Sequence, residues 1–189
     1  MRTHRLFAFL LVAALTLAAC DHARCRCEEV LLASCGVVVQ VPSDSKEATS
    51  VVKTADVATN TTHHTTRFDE SVYEVRCSDL AGRMANSLNA DDVLRAAVQD
   101  TLERSGATLD SQMLIELHGY PGRDFEGSAP IDGEPVFVRA RAYLVGNRLI
   151  QTTVRGVRGQ VSVADVVRYL DSLTFLENKI QDLRSSKQT

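Results

Sequence analysis

Gly146 and Asn147 stand between two runs of alternating residues, FVRARAYLV before them and RLIQTTVRG after. Glycine supplies the positive φ that a two-residue hairpin loop needs, so the two runs are predicted to pair directly across it. The loop then sets a register: Val145 opposite Arg148, Leu144 opposite Leu149, Tyr143 opposite Ile150, and onward to Arg139 opposite Val154. Side chains alternate across a strand, so one face collects Val138, Ala140, Ala142, Leu144 and Leu149. The other collects Phe137, Arg139, Arg141, Tyr143, Ile150 and Val154, and mixes apolar groups with guanidinium heads on long stems. Both faces are expected to be at least partly covered.

Upstream, Tyr120-Pro121-Gly122-Arg123 has the chemistry of a type II turn, with Pro121 presetting φ and Gly122 taking the positive one. It is predicted to join a strand around Gln112–His118 to a short one around Arg123–Glu126. Earlier still, VVVQVP (37–42) and ATSVVKTADVA (48–58) read as two strands, with SDSKE as the turn between them. TNTTHHTTR has no apolar period and reads as a loop or the frayed end of a hairpin, and FDESVYEVRCSDL reads as a strand with Tyr73, Val75 and Cys77 inward. A helix is predicted between Leu88 and Gly106. Asn89 is its N-cap, Leu88 and Val93 its staple, and Leu94, Ala97, Val98, Thr101 and Leu102 its buried stripe. A second helix starts at Ser162, with Val161 and Val166 as staple and Val163, Val166, Val167, Leu170 and Leu173 as stripe. The order is strands, helix, a run of antiparallel strands, helix. That gives the α+β class, an antiparallel β-sheet flanked by two main helices.

The chain has 189 residues, 44% apolar and 24% charged, enough for one domain with a core. Its formal charge of −3 gives no reason to expect a nucleic-acid partner. Residues 1–19 have the parts of a signal peptide: Arg2, His4 and Arg5, then LFAFLLVAALTLAA ending in small residues. Leu17-Ala18-Ala19-Cys20 resembles the lipobox of bacterial lipoproteins, which implies a diacylated Cys20 at the mature N-terminus; the alternative is a plain secretory leader with an incidental cysteine. The expected organisation is a signal peptide (1–19), a lipidated tether (20–36), a single α+β domain (37–176) and a polar C-terminal tail (177–189). Its expected address is the extracytoplasmic face of a membrane, held by the lipid. Cys25, Cys27, Cys35 and Cys77 are expected to form up to two disulfides, and their spacing leaves three connectivities open. No metal site is expected, since these cysteines lack paired Cys-x-x-Cys spacing and neighbours such as His63 and His64 point apart on an extended chain.

The combination of GYPGRDF, RARAYLVGNRLIQTTV and VADVVRYLDSLTF resembles a recurrent bacterial domain of unknown function, many of whose members are lipoproteins or follow a signal peptide. The likeness spans residues 108 to 176, with Ile150 where that family usually has Tyr and Leu173 where it usually has Phe. The resemblance implies a Mog1/PsbP-like sandwich. It transfers no catalytic residues, because the family has none established.

Between Pro135 and Gln160 lie Arg139, Arg141, Arg148, Arg155 and Arg158, with no Asp or Glu among them. Read functionally, Arg139, Arg141, Tyr143, Arg148 and Arg155 form a cationic face for an anion, because guanidinium forks carboxylates and phosphates. Read structurally, the heads pair with acids such as Asp124, Glu126, Asp132 or Glu134. There is no nucleophile elbow and no phosphate-binding loop. The leading expectation is therefore a non-catalytic, membrane-anchored domain that binds a protein or envelope component, without a cofactor. The rival is a small-anion-binding or enzyme-like module on the Arg139, Arg141 and Tyr143 face.

Overall fold

The computed structural model describes residues 27–43, 46–54, 59–80, 89–131 and 133–178. Its strands are β1 (Cys27–Leu32), β2 (Val37–Pro42), β3 (Lys46–Thr54), β4 (Thr59–Phe68), β5 (Ser71–Asp79), β6 (Thr108–Leu117), β7 (Tyr120–Ile131), β8 (Glu134–Val145), β9 (Arg148–Val157) and β10 (Thr174–Phe175). Its helices are α1 (Ala90–Ser105) and α2 (Val163–Asp171). Seven strands form one sheet in the order β3-β4-β5-β9-β8-β7-β6, and β1-β2-β10 form a smaller one. All neighbours are antiparallel. This is an α+β chain made mostly of antiparallel sheet.

The β8–β9 hairpin has the predicted register pair for pair, from Val145 opposite Arg148 to Arg139 opposite Val154, with Gly146 at φ +60°. Each face of the large sheet has its own cover. Ala140, Ala142 and Phe125 pack under Leu94, Ala97, Val98 and Leu102 of α1. On the opposite face Tyr73, Val75, Tyr143, Ile150 and Val154 meet Val37, Val39 and Val41 of the small sheet and Val166, Tyr169 and Leu170 of α2. Small alanines on β8 let α1 lie close, which is why that strand needs no large apolar group there.

Two buried polar side chains fix the layers. Gln151 donates to the Ala97 carbonyl (3.2 Å) and to Thr101 Oγ1 (2.8 Å), and the Tyr169 hydroxyl donates to the Glu74 carbonyl (2.9 Å). Burial pushes the Tyr169 phenol well above its ordinary pKa, so it stays the neutral donor this bond requires. α1 begins as predicted, with the Asn89 side chain accepting from the Asp91 amide, and Gly106 closes it. Leu88, the other half of the proposed staple, lies outside the described residues.

The structure corrects five expectations. The turn after β6 is His118-Gly119, both at positive φ (52° and 84°), the pairing that a two-residue primed turn demands. Pro121 and Gly122 lie inside β7 instead, opposite Glu116 and Ile115. Pro121 sits beyond the last β7–β8 pair, where a missing N–H is tolerated. Gly122 is required for closeness rather than for φ: a Cβ there would stand 2.6 Å from the Ala142 carbonyl oxygen and 2.6 Å from the Tyr143 ring. Gly122→Ala is therefore expected to cost about 2 kcal/mol, read as a lowered urea midpoint at unchanged slope.

Second, TNTTHHTTR is a paired strand rather than a loop or a frayed hairpin end: it is most of β4, held between β3 and β5. β-branched threonine suits a pleated sheet without any apolar period, and Thr61 and Thr66 are buried there. Third, 37–42 and 48–58 do not form a hairpin. The second strand runs over Lys46–Thr54 and the two lie in different sheets, β2 pairing with β1 and β10 while β3 pairs with β4. Fourth, residues 27–36 of the expected tether carry structure of the folded body, because β1 pairs with β2 and Cys35 is bonded to Cys77. Of the expected tether, residues 20–26 lie outside the described residues. Fifth, Val163 and Val167 of α2 are exposed (77% and 45%), and Tyr169 takes the buried place beside Val166 and Leu170.

Candidate functional site

α2 and the loop leading into it from β9 overhang the outer half of β8, leaving a cleft of about 130 Å³. Its wall is apolar, formed by Phe137 and Val161 with Val163, Val166, Val167 and Leu170. Arg139, Arg141, Arg158 and Glu126 stand among them. The hairpin register dictates this, since Phe137, Arg139 and Arg141 alternate onto the face that α2 covers.

The cleft arginines are paired with acids. Asp124, 6% exposed at its side chain, holds Arg139 at 2.7 Å and Arg141 at 2.9 Å. Glu126 takes Arg139 at 3.1 Å and Arg158 at 3.4 Å, and Asp171 takes Arg141 at 2.6 Å. Burial works against the Arg141 charge, but its bonds to Asp124 and Asp171 outweigh that, and its pKa moves up. The result is a ladder of alternating charges across β7, β8 and α2, nearly neutral as a unit. Two of the acids named at the sequence level, Asp124 and Glu126, are its partners. Glu134 is exposed at the start of β8, and Asp132 lies outside the described residues.

The five residues proposed as one anion-binding face do not come together. Arg139 and Arg141 line the cleft. Tyr143 is buried beside it, against Phe175 (ring centroids 6.2 Å apart), and burial, partly offset by Arg141, raises its phenol pKa. Arg148 reaches the other way, to Asp79 (2.6 Å) and the Ser34 carbonyl (3.4 Å), tying the end of the β8–β9 hairpin to the β1–β2 turn. Arg155 lies on the α1 face, beside Arg104, Glu74 and Thr101. Sequence reasoning missed Arg158 and Val161 as cleft residues. Their signal was the proximity of the β9–α2 loop to β8, seen in Arg158 bonding to the Pro135 carbonyl through its backbone.

Cys35 and Cys77 form a disulfide that joins the β1–β2 turn to β5, and both are buried. Cys27 is exposed on β1, with an Arg168 guanidinium nitrogen 3.6 Å from its sulfur, and Cys25 lies outside the described residues. His63 and His64 do point apart, to Glu74 (3.0 Å) and to Ser34 Oγ (3.0 Å). Among the described residues, no three His, Cys, Asp or Glu side chains group as a metal site, and no helix is long and apolar enough to cross a membrane.

The solution structure of the cyanobacterial PsbP protein, CyanoP, from Synechocystis superposes on 82% of this chain and 95% of its own length, with a TM-score of 0.54 at 12% identity. The chain has a PsbP-like fold. At this identity the likeness is one of fold alone. A Pseudomonas aeruginosa protein of unknown function, described as a putative regulator, aligns over 87% of this chain and 95% of its own (14% identity, TM-score 0.37). A Bacteroides thetaiotaomicron protein aligns over 74% and 45% (11% identity, TM-score 0.46). No protein-family model matches the chain, and no curated protein matches it.

Proposed function

We propose that the protein is a lipid-anchored, extracytoplasmic binding domain, a Mog1/PsbP-type sandwich that engages a protein or envelope partner and catalyses no reaction. The cleft beneath α2 carries this reading. Its walls are apolar, its charged groups neutralise one another, and Val163 and Val167 extend the apolar surface onto the exposed side of the helix. Such a site suits an apolar anchor of a partner, because an empty apolar cavity of about this size accepts a group the size of benzene. Two features support the address. The leader ends in Leu17-Ala18-Ala19-Cys20, and a buried disulfide suits an oxidising compartment. The alternative, a small anion on Arg139, Arg141 and Tyr143, is less well supported, since both guanidiniums are already forked by acids and Tyr143 lines no part of the cleft.

The test uses the full chain in bacterial cells. Labelled palmitate is expected to enter the parent protein and to be lost from Cys20→Ala. A photo-crosslinker at position 167 is expected to capture a discrete partner band that Val163→Glu abolishes. Label retained by Cys20→Ala would end the anchor, and a crosslinker that captures nothing would end the binding role of the cleft.

A further inference from the structure

β6 ends the large sheet, and its outer edge is built to be covered. β6 has neither lysine nor proline in its ten residues, the residue types that most discourage strand addition at an edge. Its middle exposes Met113 (61%) and Leu114 (71%), neighbours that point to opposite faces, so no single covering layer would bury both. An added strand would, because it extends both faces at once.

We infer that a second copy of this chain covers the edge, through antiparallel pairing of β6 with β6 about a two-fold axis perpendicular to the sheet. Such an axis keeps each face on its own side, so opposed residues must share a face and their numbers must sum to an even value. The register with β7 is broken between Leu109 and Ser111, which leaves Ser111–Leu117 as the regular run, centred on Leu114. Using all of it sets Leu114 opposite Leu114 of the second copy, Met113 opposite Ile115, Gln112 opposite Glu116, and Ser111 opposite Leu117. At the centre apolar residues then meet apolar ones, the Glu116 carboxylate meets the Gln112 amide, and Leu117 at the end of the run meets Ser111. Centring on Met113 would instead set Glu116 opposite Asp110, and like charges directly opposed are destabilising. The charge pattern therefore disfavours that neighbouring centre, and the bulge leaves Leu114 in the middle of the regular run.

The register makes the test specific. Opposed Cα atoms in an antiparallel pair lie about 5 Å apart, within reach of a disulfide. In full-length protein in its membrane, Leu114→Cys is expected to give at least tenfold more disulfide-linked dimer under mild oxidation than Gln112→Cys, whose two copies would stand about 14 Å apart along the strands. Gln112→Cys combined with Glu116→Cys should crosslink again, and the parent chain sets the background from its own cysteines. Equal yields from Leu114→Cys and Gln112→Cys would overturn the pairing. So would a Leu114→Cys product whose mass is not twice that of the chain, since a different protein would then hold the edge.

Discussion

The double replacement Cys35→Ala with Cys77→Ala is expected to lower the stability of the body by about 4 kcal/mol, on the order of 10 °C in melting temperature. The bond spans 42 residues of sequence, and a loop of that length gives the unfolded chain considerable freedom that the crosslink removes. It also fastens the β1–β2 turn to β5, and so the small sheet to the large one. Both sulfurs are buried, so dithiothreitol should reach them only through opening of the structure. Differential scanning calorimetry of oxidised, reduced and doubly substituted protein measures the effect. A transition that stays within a degree or two after complete reduction would show that the small sheet holds without the bond.

Asp124→Asn is expected to cost about 3 kcal/mol, far more than a surface ion pair is worth. One nearly buried carboxylate serves both Arg139 and Arg141, and the amide that replaces it would turn a donor toward one of two guanidiniums. The figure sits at the low end of the buried-pair range because the arginine side chains are 35% and 20% exposed and each has a second acid, Glu126 or Asp171. A double-mutant cycle with Arg141→Gln, read by urea unfolding, should return a coupling of about 1–2 kcal/mol. Coupling near zero would mean that Asp124 is only space-filling. Because the same network rims the cleft, Asp124→Asn should also weaken whatever the crosslinker at position 167 captures.

What could be read from sequence divides along the reach of the signal. The β8–β9 register was legible because a two-residue loop admits one pairing, and α1 was legible from Asn89, its apolar stripe and Gly106. β4 was not, because its Thr-rich strand carries no apolar alternation even where Thr61 and Thr66 are buried. β1 was hidden for a related reason: Leu32 is its one buried side chain, and its place depends on pairing with β2. Pro121 and Gly122 misled because their dipeptide chemistry fits a turn equally well. Only the approach of the Ala142 backbone and the Tyr143 ring shows why glycine is needed. The inward side of Cys77 was legible from its strand, but its pairing with Cys35 required knowing that the β1–β2 turn lies over β5. The arginines were found as a group, but which acids they pair with is set across strands that sequence spacing does not connect.

The order of strands in the large sheet has a kinetic consequence. β3 to β5 and β6 to β9 are each a meander of neighbours in sequence, and the seam between them is β5 on β9, where Ser71 lies opposite Gly156 and Asp79 opposite Arg148. Each half can zip locally, but the seam must close a loop of roughly seventy residues, α1 included, and long closures of this kind slow folding. Until β9 arrives, β5 offers a bare rim bearing Tyr73, Val75 and Cys77. The chain thus spends its slowest interval with an inner strand half dressed, and a companion that shields that rim during biogenesis would shorten the exposure.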